Sequence, residues 1–233
     1  MSTPRLTYFD GRGHGERVRY ALAAAGVEWT ENTLRAPGDV DDIRELCLFG
    51  QVPLLEIDGE RVVQSWSIVR YLAATHGPAV AEDGIQWKAD AAAEEVRDFF
   101  VAANLVGYGW SADKEGPLLT LRNSAARYLP LFEKVLLSNS SKNGKDTAVI
   151  CVTGSQPCWA DYQLLYGLDY TCELLGDDIL SNFPYCRKLR QQLRGENKMI
   201  NFYANKAKRL VDEKYIFEVK AAQEPRKSTT VVA

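Results

Sequence analysis

The chain has 233 residues, of which 46% are hydrophobic and 25% are charged, and its formal net charge is −3. This composition is ordinary for a soluble globular protein of one large or two modest domains. The small negative charge argues against a nucleic-acid partner and against binding to an anionic membrane surface.

The five cysteines are widely spaced and form no CxxC pair. This spacing argues against a disulfide framework, a zinc site and a dithiol redox motif, and it favours a reducing compartment. The N-terminus lacks the apolar run of a signal peptide, and no stretch reaches about 18 apolar residues. We therefore expect a cytoplasmic protein with no bound metal and no membrane segment.

The beginning of the chain alternates between strand and helix patterns. A short β-rich run at Arg5–Phe9 stops at a glycine-rich loop. Residues 16–25 predict a helix, because their apolar side chains share one face and Gly26 supplies a C-terminal stop. Residues 27–34 predict a second strand. Early acidic residues in the segment 39–48 suit the N-terminus of a short helix.

A hairpin signal follows at residues 54–64. Two β-type runs flank Asp58 and Gly59, a dipeptide that favours the tight turn of a hairpin. Ser65 is predicted to be the N-cap of the next helix, which should end at Gly77 and Pro78. The order βαβ, short helix, ββα predicts a small mixed sheet with helices on both faces.

Helical patterns replace strand patterns from residue 86 onward. Two buried stripes are predicted at helical spacing: Leu121, Ala125, Tyr128, Phe132 and Val135, then Leu165, Leu168, Cys172 and Leu175. We expect an α/β domain at 1–77, a linker at 78–85, an all-helical domain at 86–223 and a flexible tail at 224–233.

Four short motifs of the first domain resemble those of the cytosolic glutathione transferases. They are Tyr8-Phe9 leading into Gly11-Arg12-Gly13, then Gln51-Val52-Pro53, then Glu56-Ile57-Asp58-Gly59, and finally Gln64-Ser65. The chain is similar in particular to the alpha and sigma classes. The resemblance implies a thioredoxin-like α/β domain followed by an all-α domain, a homodimer, and glutathione as a co-substrate without any cofactor.

Tyr8 is the expected catalytic residue, because its hydroxyl could project beyond the sheet edge towards the thiol of glutathione. A free thiol with a pKa near ~8.5 is only about 3% ionised at pH 7. A hydrogen bond to a charged partner contributes roughly 1.5–3 kcal/mol, so one hydroxyl could lower the thiol pKa by about one to two units. The alternative is a half-buried strand tyrosine with no catalytic role.

Other residues are assigned to glutathione by the resemblance. It implies a cis peptide bond before Pro53, so that the backbone of Val52 pairs with the cysteinyl part, with Gln51 beside it. A simple turn proline is the alternative. Ser65 begins a helix whose first turn contains no acid, and its free N–H groups favour an anion. The γ-glutamyl carboxylate would bind there, with Gln64 adding a polar contact.

The charged and aromatic assignments also come from the resemblance. It implies that Arg44 meets the glycyl carboxylate and that Asp98 reaches the ligand amino group of the neighbouring subunit. His14 stands where many relatives carry an arginine near the sulfur, and a lone solvated histidine is the alternative. Phe49 aligns with an aromatic that relatives insert into the partner subunit, although it could belong to its own core.

The resemblance places a pocket for a hydrophobic electrophile between Phe9, Gly11, the end of a helix near Val106 to Trp110 and the C-terminal helix around Tyr215 to Phe217. Each of these residues could instead pack as core. The expected reaction is attack of the glutathione thiolate on that electrophile. One alternative is a glutathione-dependent isomerase such as a prostaglandin D synthase. Another is a non-catalytic relative that acts as a crystallin or a ligand carrier.

Overall fold

The structure is a computed structural model. It describes residues 3–80, 84–103, 110–142, 149–154, 156–208 and 212–225. Among these residues, no helix is long and apolar enough to cross a membrane.

The N-terminal part is a four-stranded mixed sheet with helices packed on it. Its strands are β1 (Arg5–Phe9), β2 (Thr30–Leu34), β3 (Leu54–Ile57) and β4 (Glu60–Val63), in the spatial order β2-β1-β3-β4. Strand β1 pairs parallel with β2 and antiparallel with β3, and β3 pairs antiparallel with β4. The helices are α1 (Gly15–Ala24), α2 (Asp39–Arg44) and α3 (Ser65–Thr75). The predicted element order is confirmed.

Three predicted boundaries in this part are wrong. Strand β2 begins at Thr30, because the N–H of Val27 still caps helix α1 by donating to the carbonyl of Leu22. Helix α2 ends at Arg44, and the chain continues in shorter turns. Ser65 is the first residue of helix α3 rather than its N-cap. Gln64 occupies the cap position with a positive φ of 67° and no side-chain cap.

A buried ion network fixes the loop that follows strand β1. The guanidinium of Arg19 is fully buried and pairs with Glu16 and Glu31. It also donates to the carbonyl of Gly11 over 3.0 Å. Because this network ties helix α1, strand β2 and the loop together, the end of β1 has a fixed position relative to the start of α1.

The C-terminal part is helical. Its elements are α4 (Gln86–Ala103), α5 (Glu115–Lys142), α6 (Trp159–Leu175), a 3-10 helix (Asp177–Leu180), α7 (Pro184–Arg194), α8 (Asn197–Asn205) and α9 (Glu213–Gln223). The stripe predicted on α6 is buried. On α5 the prediction fails at its last position, since Val135 is 43% exposed and Leu136 is buried instead. A straight helix drifts away from a seven-residue repeat, which accounts for this shift.

Helix α6 joins the two parts of the molecule. The hydroxyl of Tyr20 in α1 donates to Asp169 over 2.8 Å, and Gln163 donates to the carbonyl of Arg17. Helix α9 returns to the first part of the chain, where Tyr215 and Val219 are buried against the end of β1. The fold is therefore an α/β domain followed by a helical one, with α9 closing back over the sheet edge.

Candidate active site

A cavity of about 900 Å³ lies beside the end of strand β1, between the sheet and helices α4 and α6. The structure brings nine of the predicted site residues together in its wall: Tyr8, Phe9, His14, Arg44, Gln51, Val52, Pro53, Gln64 and Ser65. The helical part contributes Arg97, Phe100, Val101, Tyr166 and Tyr170 to the same wall. A space of this size and mixed lining is suited to a small polar ligand together with an apolar one.

Tyr8 lies in the cavity wall and is only 5% exposed. Its hydroxyl oxygen accepts a hydrogen bond from the backbone N–H of His14 over 2.8 Å. Burial raises the pKa of Tyr8 above its ordinary value, although neighbouring hydrogen bonds and arginines oppose that shift. The hydroxyl therefore stays protonated at neutral pH and keeps a proton that it can donate to a ligand.

Two glycines leave the space that the Tyr8 side chain occupies. A Cβ atom at Gly13 would lie 2.5 Å from the Tyr8 hydroxyl oxygen, and Gly13 also has a φ of +38°. A Cβ atom at Gly15 would overlap the Tyr8 ring at Cδ1. Close approach of the backbone to the ring thus requires glycine at both positions.

Tyr215 of helix α9 lies beside the hydroxyl of Tyr8. A Cβ atom at Gly13 would lie 2.5 Å from the Tyr8 hydroxyl oxygen and 2.8 Å from that of Tyr215, so the two hydroxyls are neighbours. The ring of Tyr215 covers Gly11, where an added Cβ would overlap it. Since the Tyr8 oxygen accepts from the N–H of His14, its own O–H remains available to a ligand.

We predict that Tyr215→Phe weakens any hydrogen bond that Tyr8 donates, because burial raises the pKa of Tyr8, the Tyr215 hydroxyl opposes that rise, and a more acidic hydroxyl is a stronger donor. Turnover near neutral pH should fall about threefold, with little change in thermal stability because the ring remains. Steady-state kinetics of the purified variant measure this. Phe9→Tyr is not a suitable control, since Phe9 also lines the cavity. Tyr185→Phe, far from the cavity on helix α7, should leave turnover unchanged.

The peptide bond between Val52 and Pro53 is cis, as the resemblance implied. Both residues line the cavity, and Pro53 is buried while Val52 is half-buried. The register of β3 against β1 begins only at Leu54. The backbone of Val52 therefore precedes the paired part of the sheet and faces a space in which an extended peptide could bind.

The N-terminus of helix α3 opens into the same cavity. Ser65 and Trp66, its first two residues, line the wall, and the first turn contains no acidic side chain. The first intrahelical N–H in this helix is that of Ile68, which donates to the carbonyl of Gln64 over 2.9 Å. The N–H groups that come before Ile68 have no acceptor within the helix, and such groups favour an anion. The geometry therefore suits a carboxylate.

His14 and Arg44 contribute less charge to the cavity than their positions suggest. Burial and the positive charge of Arg17 lower the pKa of His14. The imidazole is therefore neutral at neutral pH. Arg44 is exposed and forms an ion pair of 3.3 Å with Asp41. It remains within reach of a second carboxylate at the rim.

Several predicted site residues do not line the cavity. Gly11 is covered by Tyr215, while Trp110 and Phe217 are 44% and 73% exposed. Asp98 lies exposed on helix α4, and its side chain stands 4.0 Å from Arg97. Phe49 is 63% exposed and so does not belong to the core of its own chain. Val106 lies outside the described residues.

The sequence analysis missed the cavity residues of helices α4 and α6, and it also missed Arg17 and Trp66. Arg17 is buried in the wall, with its guanidinium 4.2 Å from the centre of the Trp66 ring. Its burial depends on helices α4 and α6, which are distant in sequence. The sequence offers one signal for a buried cation: Arg17 and Arg19 lie on a helix that packs against other elements on both of its sides.

Comparison with known proteins gives the same family for both parts of the chain. The family model described as "Glutathione S-transferase, N-terminal domain" matches residues 4–74, and the corresponding C-terminal domain model matches residues 111–206. Glutathione S-transferase alpha-3 of Rattus norvegicus is 35% identical over 218 residues, which cover 91% of this chain and 95% of the relative. Glutathione S-transferase alpha-5 of the same species is 36% identical over 193 residues, 82% of this chain and 83% of the relative.

Solved structures with a similar fold include the glutathione S-transferase of Ascaris lumbricoides. It superposes with a TM-score of 0.70 at 28% identity, covering 89% of this chain and 98% of the other. A pi-class glutathione S-transferase of Onchocerca volvulus gives a TM-score of 0.73 at 25% identity, covering 87% and 93%.

Proposed function

Because this chain belongs to the glutathione S-transferase family, we propose that it catalyses attack of the glutathione thiolate on a hydrophobic electrophile. The observation that carries the proposal is the protonated hydroxyl of Tyr8 in the wall of a cavity that also contains the cis-proline loop. The enzyme orients both reactants and stabilises the charged sulfur.

Glutathione would bind along the first part of the chain. Its cysteinyl backbone pairs with Val52 beside Gln51, and its γ-glutamyl carboxylate takes the free N–H groups at Ser65. Gln64 and Gln51 are hydrogen-bonded to each other over 3.3 Å, so their amides can turn together towards the ligand. Arg44 at the rim would meet the glycyl carboxylate. The thiol then lies at Tyr8, next to His14.

The electrophile would lie on the side of the cavity that the helical part forms. Phe9 lines this side, as the sequence analysis expected. In place of Trp110 and Phe217 we assign to it four residues that line the cavity: Phe100, Val101, Tyr166 and Tyr170. These side chains give this side of the cavity a largely apolar surface. Hydrophobic, aromatic electrophiles fit such a surface.

A homodimer is part of the proposal. Phe49 and its neighbour Leu48 are 63% and 78% exposed, which suits an anchor that inserts into a second copy. Asp98 would then meet the partner's ligand, since it lies outside the cavity of its own chain.

The proposal also includes domain boundaries at residues 77 and 86 and a cytoplasmic location. In that compartment the five unpaired cysteines stay reduced.

The proposed function is tested with purified protein, glutathione and a chlorodinitrobenzene. We expect saturable, enzyme-dependent conjugation and heat release on titration with millimolar glutathione. Binding without conjugation of any electrophile would favour a carrier. Absence of binding at millimolar glutathione would contradict the proposal.

A further inference from the structure

Arg17 places an unpaired guanidinium in the wall of the cavity. The side chain is 4% exposed, and its Nε has no hydrogen-bond partner. Within the described part of the chain, no carboxylate forms an ion pair with it, whereas Arg19, two residues further along the same helix and also buried, pairs with both Glu16 and Glu31. A buried charge without a partner is costly, so it points to an anion that is supplied from outside the chain.

Aromatic rings hold this guanidinium from two sides. Its carbon lies 4.2 Å from the centre of the Trp66 ring and 5.0 Å from that of Phe100. Such contacts keep a cation in place without neutralising its charge. They connect the first turn of helix α3 with helix α4, so the cation lies between the proposed glutathione side and the electrophile side of the cavity.

The titratable groups that face Arg17 carry no negative charge at neutral pH. They are Tyr8, Tyr166 and His14. Burial raises the pKa of both tyrosines, and the pKa of His14 is lowered, so all three are neutral. Burial lowers the pKa of Arg17 to about 10, which still leaves it protonated. The protein therefore presents one uncompensated positive charge at this point of the cavity.

We propose that Arg17 supplies the positive charge that stabilises the thiolate of glutathione bound at Tyr8, an inference that rests on the proposed function. Tyr8 and Arg17 line the same cavity. Burial raises the pKa of the Tyr8 hydroxyl, and the charge of Arg17 opposes that rise. The two groups are therefore close enough to interact electrostatically. An anionic sulfur next to that hydroxyl feels the same charge. His14, which is neutral, cannot provide it.

The test measures the pKa of the thiol of bound glutathione, from the ultraviolet absorbance of the thiolate as a function of pH. Arg17→Met removes the charge and keeps the length of the side chain, and Arg17→Lys restores a charge. We expect Arg17→Met to raise the bound thiol pKa by about half a unit to one unit, a three- to tenfold loss of thiolate below that pKa. Arg17→Lys should recover most of the shift.

Arg70→Met is the matched control. Its guanidinium lies 6.0 Å from the same Trp66 ring, but it pairs with Asp90 and Glu94 and does not line the cavity. It should leave the bound thiol pKa unchanged. Chemical unfolding without ligand adds an independent readout, because removal of an unpaired buried charge should leave Arg17→Met at least as stable as the parent protein. If Arg17→Met does not fold, Arg17→Gln serves in its place.

Two results would overturn the inference. In the first, Arg17→Met binds glutathione with an unchanged thiol pKa. In the second, the pKa is unchanged and only the KM for a carboxylate-bearing electrophile rises, which would assign the cation to the second substrate. Failure of the proposed function looks different: the parent protein then does not bind glutathione, or its bound thiol pKa equals that of the free tripeptide.

Discussion

Gly15→Ala is expected to lower kcat/KM for glutathione conjugation by about a hundredfold. The added Cβ would lie 2.4 Å from Cδ1 of the buried Tyr8 ring, so the ring has to shift from its position in the cavity wall. A displacement of about 1 Å at a reacting group can cost about 10²-fold in rate. Steady-state kinetics with saturating glutathione measure the loss.

The backbone of Gly15 is helical, so alanine is otherwise acceptable there and should even favour the helix. Gly195→Ala is the matched control, because its φ is −77° and the nearest atoms to an added Cβ are carbonyl oxygens at 3.4 Å. That variant should keep full activity. Unchanged kinetics in Gly15→Ala would mean that the position of the Tyr8 ring does not matter for the reaction.

Tyr8→Phe is expected to lower turnover by at least about tenfold near neutral pH. The substitution keeps the ring between its two glycines and removes only the hydroxyl, so the proposed thiolate loses its hydrogen bond. A bond to a charged partner contributes roughly 1.5–3 kcal/mol, which corresponds to about one to two units of thiol pKa. Turnover should recover as the pH rises, since the free thiol then ionises without help.

Tyr128→Phe is the matched control for that prediction. Tyr128 is also 5% exposed, but it lies on helix α5 outside the cavity. Its variant should keep the parent turnover and pH profile. Both tyrosine variants need their free energies of unfolding measured, because the hydroxyl of Tyr8 also accepts the N–H of His14 and its loss costs about 1 kcal/mol. Equal turnover in Tyr8→Phe and the parent would remove Tyr8 from the mechanism.

The sequence predicts those parts of the site that depend on short segments. The hairpin turn at Asp58 and Gly59, the absence of acids after Ser65 and the loop behind Tyr8 are all local features. The chain order of elements then brings the end of β1 and the starts of β3 and α3 to one place. For this reason, nine of the assigned residues line a single cavity.

The same reasoning fails where two distant segments must meet. Trp110 and Phe217 were assigned to the electrophile pocket, but the orientation of α9 turns Phe217 outward and buries Tyr215 instead. Arg17 looks like one more surface arginine in the sequence, and only the packing of Trp66 and Phe100 around it creates a buried cation. Neither the rotation of a helix about its axis nor the seating of one domain on another follows from local patterns.

In the proposed mechanism, the protein lowers the pKa of a bound thiol through the hydroxyl of Tyr8. The most direct test is a pH titration of thiolate absorbance in the complex of the parent protein with glutathione, compared with Tyr8→Phe. We predict a bound thiol pKa about one to two units below that of free glutathione, and a return towards the free value in the variant. A bound thiol pKa that is the same in both proteins would contradict the account.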